Sequence, residues 1–188
     1  MVENKKIEFL EQDHIYLVDG VITPSLTQII KLINGSKYDF VNKDILEQAR
    51  DFGILVHKDI ETQKFETESG KKWKELTNEL DLSVVYNELQ LYLEIDNKVV
   101  CCGTCDNLML QKSTNTYWLL DTKNTAKLCK KDHIIQLNAY RTMIKQRLGI
   151  NVSYLGIVHL PPKELEKSKV VMFDIAENET LEKIKGVL

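Results

Sequence analysis

The sequence predicts an α/β fold, a mixed central β-sheet flanked by helices. Three observations carry the prediction. The chain between Thr23 and Leu80 has helical patterning. Residues Val85–Ile95 alternate apolar and polar, and two further strand-like runs follow. From Asp132 onward a long amphipathic helix leads into more strands.

The elements follow in chain order. Ile7–Leu10 and Ile15–Val18 read as short strands, with Asp19-Gly20 supplying turn chemistry after the second. Thr23-Pro24-Ser25 opens a helix to about Leu32, with Thr23 as N-cap and Pro24 in the first turn, and Asn34-Gly35 ends it. A second helix covers roughly Asn42–Asp51. Gly53 interrupts or bends it before a helical continuation through Glu61. A third helix is expected at Lys72–Leu80. In Val85–Ile95, Leu89, Leu91, Leu93 and Ile95 alternate with Glu88, Gln90, Tyr92 and Glu94. Val99–Leu110 and Tyr117–Lys123 are the next strands. Asp132–Leu148 is a helix whose apolar stripe is Leu137, Tyr140, Ile144 and Leu148. Asn151–His159 and Val170–Asp174 are strands, and Glu179–Lys185 is a terminal helix. With no repeat, no low-complexity stretch and no linker, residues 1–188 are expected to form one domain.

Composition narrows the class. The 188 residues are 43% hydrophobic and 28% charged, ordinary for a globular protein. No apolar run approaches the roughly 18 residues of a membrane span. Met1-Val2-Glu3-Asn4-Lys5 lacks an apolar signal core, so a cytoplasmic protein is expected. Of the four cysteines, Cys101, Cys102 and Cys105 lie close together and Cys129 stands apart, which is not the spread of a disulfide framework. Cys102-x-x-Cys105 reads either as half a zinc site or as small buried thiols. No second Cys/His pair is spaced to complete the metal site. A net charge of −3 decides nothing about nucleic acid by itself. Lys123, Lys127, Lys130 and Lys131 lie near one another and read either as a phosphate-binding patch or as a solvated face.

The chemistry concentrates at two strand ends. Asp106 closes the otherwise uncharged stretch from Val99 to Cys105, and Tyr117-Trp118-Leu119-Leu120 runs into Asp121-Thr122-Lys123. Side chains alternate along a strand, so Asp121 and Lys123 share a face. Charges at the end of an apolar strand are costly unless something uses them. If the two strands pair, Asp106 and Asp121 converge. Two carboxylates with open water positions suit a hard cation such as Mg²⁺, and Lys123 would then hold the attacking water or a scissile phosphate. The competing reading is a surface Asp-Lys pair.

These residues also carry a family resemblance. Gly103-Thr104-Cys105-Asp106 and Leu120-Asp121-Thr122-Lys123 resemble motifs II and III of the PD-(D/E)XK nuclease superfamily. Gly53 through Glu61, with His57, resembles the G-x-x-x-H-x-x-x-E motif of its RecB-like and phage exonuclease branch. Gln136-Leu137-Asn138-Ala139-Tyr140 resembles that branch's Q-x-x-x-Y motif. Glu88 sits where the branch often carries a glutamate, and Thr23–Ile29 is similar to the S-V-T-x-I-L opening of phage members. Cys105 replaces the proline that names the superfamily.

The resemblance implies a restriction-endonuclease-like core and a metal-dependent DNA exonuclease acting on duplex ends in phage-type recombination or repair. Asp106, Asp121 and Lys123 would be catalytic. His57, Asp106, Asp121 and the Thr122 carbonyl would hold Mg²⁺, with Mn²⁺ as a substitute. Glu88, Gln136, Tyr140 and Glu61 would support the site or contact DNA, and Lys127, Lys130 and Lys131 would meet the DNA backbone. DNA is the implied partner, with a single-strand annealing or recombination protein beside it. The iron–sulfur members carry cysteines before the core and near the C-terminus, so no cluster is expected here. Read from the residues alone, His57 is either a ligand or a structural histidine, and Tyr140 either a DNA contact or a core aromatic. A structure-specific or restriction-type endonuclease, and a non-cleaving DNA-binding module, are the alternatives on the same fold.

Overall fold

The computed structural model describes residues 5–10, 15–35 and 43–188. It is a mixed α/β structure with a five-stranded sheet flanked by helices and a small antiparallel sheet beside it. The small sheet has order β1-β2-β3, from Ile7–Leu10, Ile15–Val18 and Val21–Thr23. The large sheet has order β4-β5-β6-β7-β8, from Leu82–Ile95, Lys98–Gln111, Thr116–Lys123, Val152–His159 and Lys169–Phe173. Its first three strands form an antiparallel meander. β7 lies parallel to β6, reached through the helix α4 (Lys130–Leu148), and β8 returns antiparallel. None of the described helices is long and apolar enough to cross a membrane.

Each face of the large sheet has its own core. On one face Leu91, Leu93, Cys105, Leu108 and Leu119 pack against α4, against α1 (Leu26–Asn34) through Leu26 and Ile29, and against α5 (Glu177–Lys185) through Ile184. On the other face Met109, Trp118, Leu120 and Val158 meet Val56 and Ile60 of α2 (Lys43–Glu61) and Trp73 of α3 (Glu68–Glu79). Each such fully buried side chain contributes about 1.5–3 kcal/mol. The small sheet covers the far end of β4 and β5, where Tyr16 and Val18 pack on Tyr92 and Cys102.

Several boundaries depart from expectation for local reasons. The first helix is capped by Ser25, not Thr23. The Ser25 hydroxyl accepts the Gln28 N–H, and the Gln28 side chain accepts the Ser25 N–H, a reciprocal capping box. Thr23 instead ends β3, and the Pro24 carbonyl accepts the Cys102 N–H at 2.9 Å. Gly53 does not interrupt α2, which is continuous to Glu61. The start expected at Asn42 lies outside the described residues. The third helix begins at Glu68 because Thr67 caps it, its hydroxyl accepting the Gly70 N–H.

The α4 stripe is also wider than expected. His133, Ile135, Ala139 and Met143 are buried along with Leu137, Tyr140 and Ile144, because α4 is enclosed by the sheet, α1 and α5. Leu148, placed in the stripe by periodicity, is 36% exposed at the helix end. Tyr92, read as outward, is buried by the small sheet. Cys102 faces that sheet while Cys105 faces α4, so the two thiols lie on opposite sides of β5 and cannot form half of one metal site. Burial pushes the Cys101, Cys102 and Cys105 thiols up from their ordinary range, Cys102 to about 11.

Candidate metal centre

The site forms where regular pairing fails. β5 and β6 pair from Gln111↔Thr116 to Asn107↔Leu120 and then part. The next opposed positions would be Asp106 and Asp121. In place of a ladder bond, the Asp106 carboxylate accepts the Thr122 backbone N–H through Oδ2 at 2.7 Å. Asp106 thus occupies the gap between the two strands and satisfies a buried donor there.

The alternation of β4 and β5 inverts at the same level. Cys105 and Leu89 face α4, yet Asn107 and Asn87, two residues away on each strand, lie on the α2 side. The turnover coincides with Glu88, whose φ of 47° lies in the left-handed region, uncommon for a residue with a side chain. Such strain persists only when surrounding contacts over-determine it. Here Asn107 donates to the Asn87 carbonyl oxygen at 2.8 Å, and Asn87 donates to the Glu61 backbone carbonyl at 3.2 Å. This relay ties the end of α2 to the sheet. Asp59, in the same helix, ties it to the connection that leads into α3, accepting the Glu66 and Thr67 N–H groups.

With α2 so fixed, His57 points at the inversion. Its Nδ1 lies 3.5 Å from Glu88 Oε1 and 3.6 Å from Asp106 Oδ2. One ligand atom from each of His57, Glu88 and Asp106 lies within 4.8 Å of the other two. Three ligands of this kind could hold a divalent metal. The donor set of one imidazole and two carboxylates fits a hard or borderline ion. Their protonation states fit as well. Burial opposes charge on His57, but Asp106 and Glu88 outweigh it and raise its pKa to about 9. Burial first, and Asp121 second, raise Asp106 to about 7. A cation bound by these groups would displace the protons they share.

Asp121 is 1% exposed and stands on the α4 side of Asp106. Its Oδ1 accepts Nε2 of Gln136 at 3.0 Å, and Lys123 Nζ lies 2.6 Å from Oδ2. That ion pair is off the hydrogen-bond direction, and among the described residues Oδ2 has no hydrogen-bond donor. Asp121 lies outside the tight His57, Glu88, Asp106 group, while Glu88, expected in support, lies inside it. Thr122 contributes its N–H to Asp106.

The other expected residues divide between the site and its surroundings. Tyr140 is buried against Gly103, where an added Cβ would come within 2.5 Å of the phenol oxygen, which is the placement of a core aromatic. Glu61 borders the cleft but pairs with Lys58 at 2.8 Å. Lys127, Lys130 and Lys131 are exposed, and the last two border a surface groove with Met172 and Asp174 rather than the metal cleft. Sequence reasoning missed Asn87, Asn107 and Asp59. An asparagine on each of two paired strands, where that residue is disfavoured, was the available signal. It also missed Arg50, which lines the cleft with His57, and Lys31, which shares a smaller cavity with Lys123 and Gln136.

Comparison with known proteins bears on the fold. No family model matches the chain, and no curated protein matches it. Solved structures do. A protein from Eubacterium rectale, provisionally assigned as an exonuclease, superposes with a TM-score of 0.50. The match covers 87% of this chain and 77% of that one at 12% identity. The protein SSO0001 gives a TM-score of 0.49 over 88% of this chain and 74% of its own, at 13% identity. At 12% identity the likeness to the Eubacterium rectale protein is one of fold alone.

Proposed function

We propose that the chain is a divalent-metal-dependent deoxyribonuclease, an exonuclease that hydrolyses phosphodiester bonds from DNA ends, with residues 1–188 acting as one nuclease-like domain. The observation that carries this reading is the convergence of His57, Glu88 and Asp106 at one point, with the Asp121–Lys123 pair on the neighbouring strand. The sequence resemblance to the PD-(D/E)XK nucleases and the fold shared with a provisionally assigned exonuclease support it.

In this reading His57, Glu88 and Asp106 would hold the ion, together with Asp121 and the Thr122 carbonyl. Mg²⁺ is the natural ion, with Mn²⁺ as substitute. When bound, it supplies Lewis-acid stabilisation of phosphoryl charge and an acidified water. Lys123, pinned by Asp121, offsets charge that grows on the phosphate oxygens in the transition state. Gln136 fixes the Asp121 carboxylate, Tyr140 packs the floor beneath Gly103, and the Asn107–Asn87 relay holds the His57 helix in register. Lys127, Lys130 and Lys131 meet DNA phosphates outside the cleft. The pathway is phage-type recombination or repair, with a single-strand annealing or recombination protein as partner.

The test is degradation of linear and closed circular duplex DNA, with Mg²⁺ and with excess chelator. Linear DNA should be degraded only with metal, and circles spared. Undiminished cleavage in chelator would overturn the metal assignment. Equal rates on both substrates would mark an endonuclease instead.

A further inference from the structure

The Asn107–Asn87 relay is joined to all three members of the metal-competent group. Asn87 and Asn107 are partners across β4 and β5, and Glu88 and Asp106 sit at the next position along, before the Leu89↔Cys105 pair. Asn107 follows Asp106 in the chain, and Asn87 precedes Glu88. The relay ends on the Glu61 carbonyl, one turn of α2 after His57 and about 6 Å along the helix axis. Each ligand is thus tied by its own backbone to one member of the relay. Glu88 and Asp106 are also held by their paired strands, so His57 is the ligand that depends on it.

The direction of the relay is set at its far end. Glu61 closes α2, and the last four carbonyls of a helix have no partner inside it. Three are met by the residues that follow: the Lys58 carbonyl accepts from Thr62, that of Asp59 from Lys64 and that of Ile60 from Gln63. The Glu61 carbonyl instead accepts Nδ2 of Asn87, at 3.2 Å. A carbonyl can only accept, so the Asn87 amide turns its nitrogen to α2 and its oxygen to Asn107. Asn107 must answer with Nδ2, at 2.8 Å. That leaves Oδ1 of Asn107 buried and without a donor among the described residues. An orphaned acceptor destabilises a fold, so stability alone does not account for this asparagine. Val56 and Ile60 hold α2 against the sheet by apolar contact. Such contact is non-directional and lets a helix slide or turn. The relay supplies the direction that it lacks.

We propose that Asn107 and Asn87 are positioning residues for metal binding, setting the distance of His57 from Glu88 and Asp106. The inference rests on the nuclease reading for the metal centre and adds to it two residues that stand behind the ligands. Without the relay α2 can shift. Nδ1 of His57, now 3.5 Å from Glu88 and 3.6 Å from Asp106, then leaves the point where the three can share one ion. Partners that orient metal ligands in this way carry about 10–100-fold in metal affinity.

Mn²⁺ alone is the probe, its binding to the full chain followed by electron paramagnetic resonance. Asn87→Ala breaks both links and should weaken Mn²⁺ binding about tenfold and alter the bound-ion spectrum. Asn107→Ser breaks only the link between the two asparagines and should do the same to a smaller degree. Ile184→Val, in the core on the opposite face of the sheet, is the control for lost stability. It should lower the melting temperature by about 2–4 °C and leave Mn²⁺ affinity unchanged. In a His57→Ala background, Asn87→Ala should weaken binding no further, because the relay acts through the ligand already removed. A wild type that binds Mn²⁺, with Asn87→Ala and Asn107→Ser binding it equally well, overturns the positioning role alone. So does a full further loss in the His57→Ala background, since the effect then does not pass through His57. A wild type that binds no Mn²⁺ overturns the metal centre and the nuclease reading with it.

Discussion

Replacing Asp121 with asparagine should stabilise the metal-free protein while abolishing cleavage. Asp121 and Asp106 lie on neighbouring strands just beyond the point where the pairing parts, and both are buried. The Asp106 pKa rises from 3.8 to about 7, with burial the larger cause and Asp121 the second. Three units at about 1.4 kcal/mol each make an ionised Asp106 costly by something on the order of 4 kcal/mol. Asp121→Asn removes only the second cause, for a gain of about 1–2 kcal/mol. Against this stands the lost ion pair with Lys123, whose side chain is 25% exposed and can turn to solvent. That loss costs about 0–1 kcal/mol. The asparagine oxygen still accepts from Gln136. The net gain is about 1 kcal/mol, or roughly 2–4 °C in melting temperature for a chain of this size.

The gain should depend on pH in a definite direction. The Asp106 pKa is higher folded than unfolded, so its contribution favours the fold below about 4 and is lost as pH rises through about 7. His57 acts in the same sense over a higher window: its contribution is full below 6.5 and lost as pH rises through about 9. Metal-free wild type should therefore soften as pH rises from 4 to 9. The asparagine variant should soften less over the lower part of that range. Thermal melts in chelator at pH 4.5 and 8, beside a cleavage assay in Mg²⁺, give the comparison. A variant that melts lower than wild type at both pH values and still cuts DNA would show Asp121 to be a structural residue and refute the reasoning.

Three further outcomes are expected. Lys123→Ala should lower single-turnover cleavage on the order of 100-fold at saturating enzyme. Lys130→Ala should instead weaken binding and reduce its salt slope by about one unit, so identical behaviour of the two variants would place Lys123 in a general basic patch. Metal binding, followed by calorimetry in buffers of different ionisation enthalpy, should release protons and tighten as pH rises through about 7 and toward 9, because Asp106 and His57 must shed theirs. Binding that is flat with pH would remove both as ligands. Gly103→Ala should destabilise the protein by about 1–3 kcal/mol, read as a lower melting temperature, because the new Cβ meets the phenol of Tyr140; an unchanged melt would show that the Tyr140 ring can yield.

Much of this protein is determined locally and was legible in the sequence. Strand and helix periodicities mark most of the secondary elements, because burial on one face imposes a period of two or of about 3.6. The placement of Asp121 and Lys123 on one strand face follows from alternation alone, whereas how Asp106 stands to Asp121 depends on the pairing of their strands, which ends at Asn107↔Leu120. The remainder depended on groups far apart in the chain. Alternation predicts that Glu88 points with Gln90 and Tyr92, and it cannot show the left-handed residue that inverts the pleat beside Asp106. Nor can it show that Tyr92 is covered from outside by a sheet built from residues 7–23. His57 is one histidine on an exposed helix until the Asn107–Asn87 relay docks that helix against the sheet. The tertiary structure alone decided that Glu88 joins His57 and Asp106 at one point while Asp121 turns to Lys123 and Gln136. The physical reason is that periodicity specifies which side of an element a residue occupies, whereas a metal-competent cluster requires three separate elements to meet within a few ångströms, and only packing sets that distance.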